Sequence, residues 1–96
     1  MTLHVGVLEV RLALPGVRSL KEKRGLIKGL VERIRHRFEV AGAEVEVMDR
    51  WDEAGLGFAA IGNAVAVVQG RLQKVVNFIE TDGAGILVDY RVEIVT

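Results

Sequence analysis

The chain has 96 residues, half of them hydrophobic and 27 % charged, with no cysteine and one proline. That suits one small packed domain and excludes disulfide scaffolds, thiolate metal sites and cysteine nucleophiles. Thirteen basic side chains balance thirteen acidic ones, so no global field directs the protein to nucleic acid or membrane, and any charge-driven function must be local.

From Leu3 to Leu12 the residues are mostly aliphatic or β-branched and end at the turn pair Pro15-Gly16, which predicts a first strand. Ser19-Leu20-Lys21-Glu22 is a capping box, with the hydroxyl on the N3 amide and Glu22 reaching back to the cap amide. Leu20, Ile27, Leu30, Val31, Ile34 and Phe38 then recur at helical spacing, one apolar stripe along a long first helix. Gly42 is expected to let that helix stop and the chain reverse. Alternation from Glu44 to Trp51 predicts a second strand, Asp52 to Gly55 a hairpin connection, and Leu56 to Ile61 a third strand. Asn63 is the expected cap of a second helix whose buried stripe is Val65, Val68, Leu72, Val75, Val76 and Ile79, and which frays from Thr81 to Gly85. Ile86 to Val95 alternates as a fourth strand.

The order β-α-β-β-α-β is the split βαβ pattern of an α+β ferredoxin-like sandwich, two helices on one face of a four-stranded antiparallel sheet, in a single domain spanning residues 1–96. If Leu8, Val10 and Leu12 face the helices, then Leu3, Val5, Val7, Glu9 and Arg11 face away, joined on the fourth strand by Leu87, Asp89, Arg91, Glu93 and Val95. An open face with an apolar strip beside a charged one predicts self-association, with a homodimer as the simplest form. The first residues lack the basic region of an export signal, and the longest mostly apolar stretch, Ala54 to Val68, is shorter than the roughly 18 residues that span a bilayer. A cytoplasmic address and no membrane partner are therefore expected.

The most informative feature is the charge of the first helix. From Arg18 to Arg37 there are eight basic residues against Glu22 and Glu32, a net of 8 − 2 = +6, which leaves −6 on the rest of the chain. At about 100° per residue Lys21, Arg24, Lys28 and Arg35 fall on one flank beside the buried stripe. This ridge, with Lys23 and Arg37 in the same segment, is the candidate phosphate or RNA site, because rows of Lys and Arg release counterions from nucleic acid. A solvated helix face is the plain alternative. Trp51 is the candidate aromatic contact. Phe38, Phe58, Phe78 and Tyr90 are assigned by spacing to the core face or its rim, which disfavours a sheet that stacks bases.

Other motifs carry less. Gly55, Gly57 and Gly62 lack the G-x-G-x-x-G spacing of a dinucleotide loop. His4 and His36 have no second ligand at metal spacing, and Ser19 is occupied as a cap. Gly25 and Gly29, four apart on the back of the first helix, are read as exposed glycines without purpose. Arg18 and Asn63 suggest an acylphosphatase, but the glycine-rich loop around the arginine is missing. Pro15-Gly16 resembles the first loop of ACT-type amino-acid sensors, so a small-ligand or protein-interaction module is the alternative to RNA binding. No catalytic constellation, cofactor site or metal site emerges, and a non-enzymatic domain is expected.

The stretch Ser19-Leu20-Lys21-Glu22-Lys23-Arg24, followed by Arg35-His36-Arg37-Phe38, Ala43-Glu44-Val45, Trp51, Leu56-Gly57, Phe78-Ile79-Glu80, Tyr90 and Glu93-Ile94, resembles the YlxP-like family of bacterial proteins, domain-of-unknown-function family 503. The resemblance runs from Val5 to Ile94. It implies a ferredoxin-like fold and, through genes that neighbour those for translation initiation and ribosome maturation, an association with RNA or a ribosomal particle. One departure stands out: family members commonly carry Asn-Val-Ser where this chain has Glu39-Val40-Ala41.

Overall fold

The computed structural model describes residues 1–46 and 49–96. Its elements are β1 (His4–Ala13), α1 (Leu20–Phe38), β2 (Ala41–Glu46), β3 (Glu53–Gly62), α2 (Val65–Asp82) and β4 (Ile86–Ile94). The strands pair antiparallel in the order β2-β3-β1-β4. This is the expected ferredoxin-like sandwich. Alternation along the two central strands sends Leu8, Val10, Leu12, Leu56, Phe58 and Ala60 toward the helices. There they meet Ile27, Leu30 and Ile34 of α1 and Val68, Leu72, Val75 and Ile79 of α2. Each large aliphatic side chain taken from water contributes about 1.5–3 kcal/mol, which makes this shared layer the main source of cohesion.

The helix starts follow local chemistry. Ser19 caps α1, its hydroxyl accepting from the Glu22 amide at 3.1 Å. The Glu22 carboxylate reaches one residue further back than expected, to the Arg18 amide at 3.4 Å. Asn63 does not cap α2: the cap position is Ala64, with no side-chain bond, and Val65 is exposed. The end of α1 also differs from the reading of Gly42. The reversal is made by Glu39 in the left-handed region at φ 54°, its amide bonded to the Arg35 carbonyl. Gly42 lies inside β2, where a Cβ would come within 2.6 Å of the Phe58 ring. Gly83, at φ 82°, ends α2 without the expected fraying at Thr81.

Strand boundaries shift for a related reason. β2 begins at Ala41 and its described part ends at Glu46, and β3 begins at Glu53 and not Leu56. Of the predicted continuation of β2 to Trp51, Val47 and Met48 lie outside the described residues, and Asp49, Arg50 and Trp51 are not strand. Glu53 to Gly55, expected in the hairpin connection of Asp52 to Gly55, instead open β3, which pairs with β1 from Glu53↔Ala13 to Gly62↔His4. The register between β1 and β4 slips at Arg11/Leu12, so Asp89 opposes Arg11 while Leu87 opposes Leu12. Val88 is the extra residue of this bulge, and Leu87 turns inward against the core, contrary to the expected outward position. Asp89, Arg91 and Glu93 do face outward, opposite Arg11, Glu9 and Val7.

Two substitutions test these placements. Glu39→Gly should raise stability by about 1 kcal/mol, because only glycine takes the left-handed region without cost. Gly6→Ala should lower it by about 1–3 kcal/mol, since its Cβ would lie 2.6 Å from a Val68 methyl where α2 crosses β1. Urea unfolding of both variants against the parent measures each change.

Candidate functional site

The segment Ser19 to Arg24 does two separate things. Lys23 points inward and is completely buried. On the helical wheel it falls among Ile27, Leu30 and Ile34, inside the apolar stripe. Its ammonium pairs with the Glu44 carboxylate of β2 at 2.9 Å and donates to the Arg50 carbonyl in the β2–β3 connection. Arg50 in turn forks onto Asp52 at 3.0 and 3.1 Å and reaches Glu53 at 2.8 Å. Lys23 is therefore a structural latch between α1, β2 and the loop behind it, and it does not belong to the phosphate ridge in which its charge had placed it. The helical wheel carried the signal: a lysine in the middle of an apolar stripe must have a buried partner.

Lys21, Arg24, Lys28 and Arg35 do lie exposed on one flank of α1, as the spacing predicts. Arg24, Lys28 and Arg35 line a groove of about 390 Å³ floored by Ile27 and Val31, with Glu32 and Glu44 on its walls. None of the four cations forms an ion pair with a described residue. Five others do: Arg11 with Glu46 and Glu53, Lys23 with Glu44, Arg33 with Asp82, Arg50 with Asp52 and Glu53, and Arg91 with Glu9. The pairing is spatially sorted. Neutralised cations sit on the open sheet face, around the β2–β3 connection and between the helices, while the ridge keeps its charge.

Arg37 is not part of the ridge. It projects toward α2, its guanidinium 5.6 Å from the Phe38 ring centre and 5.4 Å from that of Phe78. Phe38 and Phe78 themselves meet edge to face at 5.6 Å. Trp51 is 52 % exposed and follows Arg50, whose carbonyl accepts from Lys23, in the β2–β3 connection. Gly25 has open space at its Cβ position, consistent with an exposed glycine, and the Arg33 side chain lies over Gly29. On the open face Glu9–Arg91 and Arg11–Glu46 flank a depression of about 200 Å³. The aliphatic end of that face exposes Leu3, Ile61 and Val95, while Val45 is exposed beside the charged depression.

Fold and surface together define a ferredoxin-like domain with a basic helix flank that forms no ion pair with a described residue. The chain belongs to the family described as "Protein of unknown function (DUF503)", whose model matches residues 5–92. It is 30 % identical over 77 residues to "Uncharacterized protein YlxP" of Bacillus subtilis (strain 168), covering 80 % of this chain and 84 % of that one. Among solved structures it resembles the de novo designed protein Foldit4, with a TM-score of 0.52, 18 % identity and coverage of 98 % and 97 % of the two chains. The de novo designed protein Ferredog-Diesel aligns at a TM-score of 0.46 and 17 % identity, over 93 % and 83 %. The likeness to Foldit4 shows the fold alone. No helix among the described residues is long and apolar enough to cross a membrane.

The latch makes a contrast that unfolding experiments can read. Lys23→Met should cost about 3–5 kcal/mol by stranding the Glu44 carboxylate, and adding Glu44→Leu should recover much of it. Lys21→Met, two residues away on the surface, should stay within about 0.5 kcal/mol of the parent. Acid should act through Asp52, whose carboxyl is held below the usual carboxylate range, chiefly by its hydrogen bonds from Arg50. A lowered folded value means its stabilisation is present above the unfolded value and lost as pH falls through the folded one. Asp52→Asn should flatten that part of the stability profile, checked by thermal melts across an acid pH series.

Proposed function

We propose that the protein is a non-enzymatic, cytoplasmic RNA-associated domain that lays the Lys21, Arg24, Lys28 and Arg35 flank of α1 along a phosphate backbone, on RNA or a ribosomal particle. The supporting observation is the sorting of charge: none of these four side chains forms an ion pair with a described residue, while five other cations do. Lys21 to Arg35 spans about 21 Å at 1.5 Å per residue, a row that matches successive phosphates of one strand and not a compact ligand. Trp51 supplies an exposed ring in the β2–β3 connection, suited to stacking on an unpaired base. The apolar groove floor of Ile27 and Val31 lets the long cationic side chains lie along the surface with their heads outward.

Trp51 is the single tryptophan, so its fluorescence reports binding directly. Titration with single-stranded RNA should give a log K against log salt slope of about −3 for four phosphates, a loss of roughly 50-fold between 50 and 200 mM salt. Charge reversal of the four ridge residues, with the fold confirmed by circular dichroism, should abolish it, and Trp51→Ala should weaken binding by roughly tenfold, followed by anisotropy of labelled RNA. Absence of binding at low salt would leave α1 as a solvated face.

A second reading, a homodimer through the open sheet face, draws on Ile61 at 60 % exposure and Val95 at 58 %, beside Leu3. On that reading the face serves protein or small-ligand contacts in the manner of an ACT-type module. Light scattering of the parent should then give twice the monomer mass, and Ile61→Glu should return it to monomer.

A further inference from the structure

On the opposite side of α1 from the ridge, a second set of cations converges on a recess that backbone binding does not use. Arg37, Arg71 and Lys74 line a cavity of about 470 Å³ where α1 ends over α2, with Glu39 as its one acidic wall. The space exists because α2 presents Ala66 and Gly70 there; a Cβ added at Gly70 would meet nothing within 4 Å. Arg37 is held over the Phe38 and Phe78 rings, and Arg71 donates to the Ile61 carbonyl at 3.1 Å, so both guanidinium groups are positioned before any ligand arrives. None of the three cations forms an ion pair with a described residue.

The local charge is 3 − 1 = +2. The C-terminal carbonyls of α1 offset this by about half a charge, too little to account for three cations. We propose that this recess binds a terminal phosphate group, a dianion carried either by a small phosphate monoester or by the 5′ end of an RNA. A diester brings one negative charge and suits an extended row. A terminal phosphate brings nearly two charges and three acceptor oxygens at one point, matching two guanidinium forks and an ammonium that surround one cavity.

The test uses the whole 15N-labelled protein, titrated with inorganic phosphate and then pyrophosphate at constant ionic strength in chloride. Saturable shifts of the Glu39, Gly70 and Arg71 amides are expected. Arg71→Gln with Lys74→Gln should raise the midpoint at least about tenfold, and Glu39→Asn should lower it several-fold. Charge reversal of Lys21, Arg24, Lys28 and Arg35 should leave the midpoint in place, which separates this site from the ridge. A 5′-phosphorylated oligouridine that binds about tenfold tighter than its 5′-hydroxyl counterpart, with the gain lost in the double Gln variant, assigns the phosphate to an RNA end. Equal binding of the two oligomers, with free phosphate still saturating the recess, assigns it to a small monoester. Shifts that stay linear, that chloride reproduces, or that persist unchanged in a folded double Gln variant overturn the proposal.

Discussion

The architecture of the candidate surface depends on one buried ion pair. Lys23 enters the first turns of α1 among leucine and isoleucine and meets Glu44 at 2.9 Å, with its ammonium also on the Arg50 carbonyl. Such a pair adds little net stability over a hydrophobic replacement, because desolvating two charges offsets their attraction. An ammonium in an apolar interior has few arrangements that satisfy it, and this one requires α1, β2 and the β2–β3 connection to take fixed relative positions. The same Glu44 forms a wall of the ridge groove, so the latch also sets the shape of the surface beside it.

Charge on this protein is sorted by what each cation touches. The chain is neutral as a whole, yet its ion pairs gather on the open sheet face, around the β2–β3 connection and between the helices. That leaves the helix layer with two sets of uncompensated cations on either side of α1. One is a row at helical spacing, which presents a line of charge to a line of phosphates. The other draws on both helices and surrounds a cavity, which concentrates charge at a point. Exposed surface pairs contribute little to stability, so the sorting matters mainly for what each surface attracts.

The family stretch Ser19 to Arg24 shows how one run of residues serves unrelated ends. Ser19 caps the helix, Glu22 ties down the Arg18 amide, and Lys23 latches the interior. Only Lys21 and Arg24 face solvent as members of the ridge. A resemblance carried by this stretch therefore reports on the start of α1 and its attachment to β2 as much as on any ligand. The departure at Glu39 has a similar reading. It occupies a left-handed position where asparagine or glycine is at ease, and it puts an acid on the wall of the Arg37 recess.

The sequence by itself determined the βαββαβ order, the Ser19 cap, the apolar stripes of both helices and the row of Lys21, Arg24, Lys28 and Arg35, because each of these rests on local periodicity or short-range hydrogen bonding. Tertiary structure alone decided which cations keep their charge. Lys23 is neutralised by a carboxylate 21 residues away, Arg33 by Asp82 on the other helix, and Arg37 is turned to the aromatic pair between the helices. The bulge opposite Arg11 likewise reversed the side on which Leu87 lies. Spacing along one element fixes the direction of a side chain but not its partner, since partners come from elements that only the packed sandwich brings together.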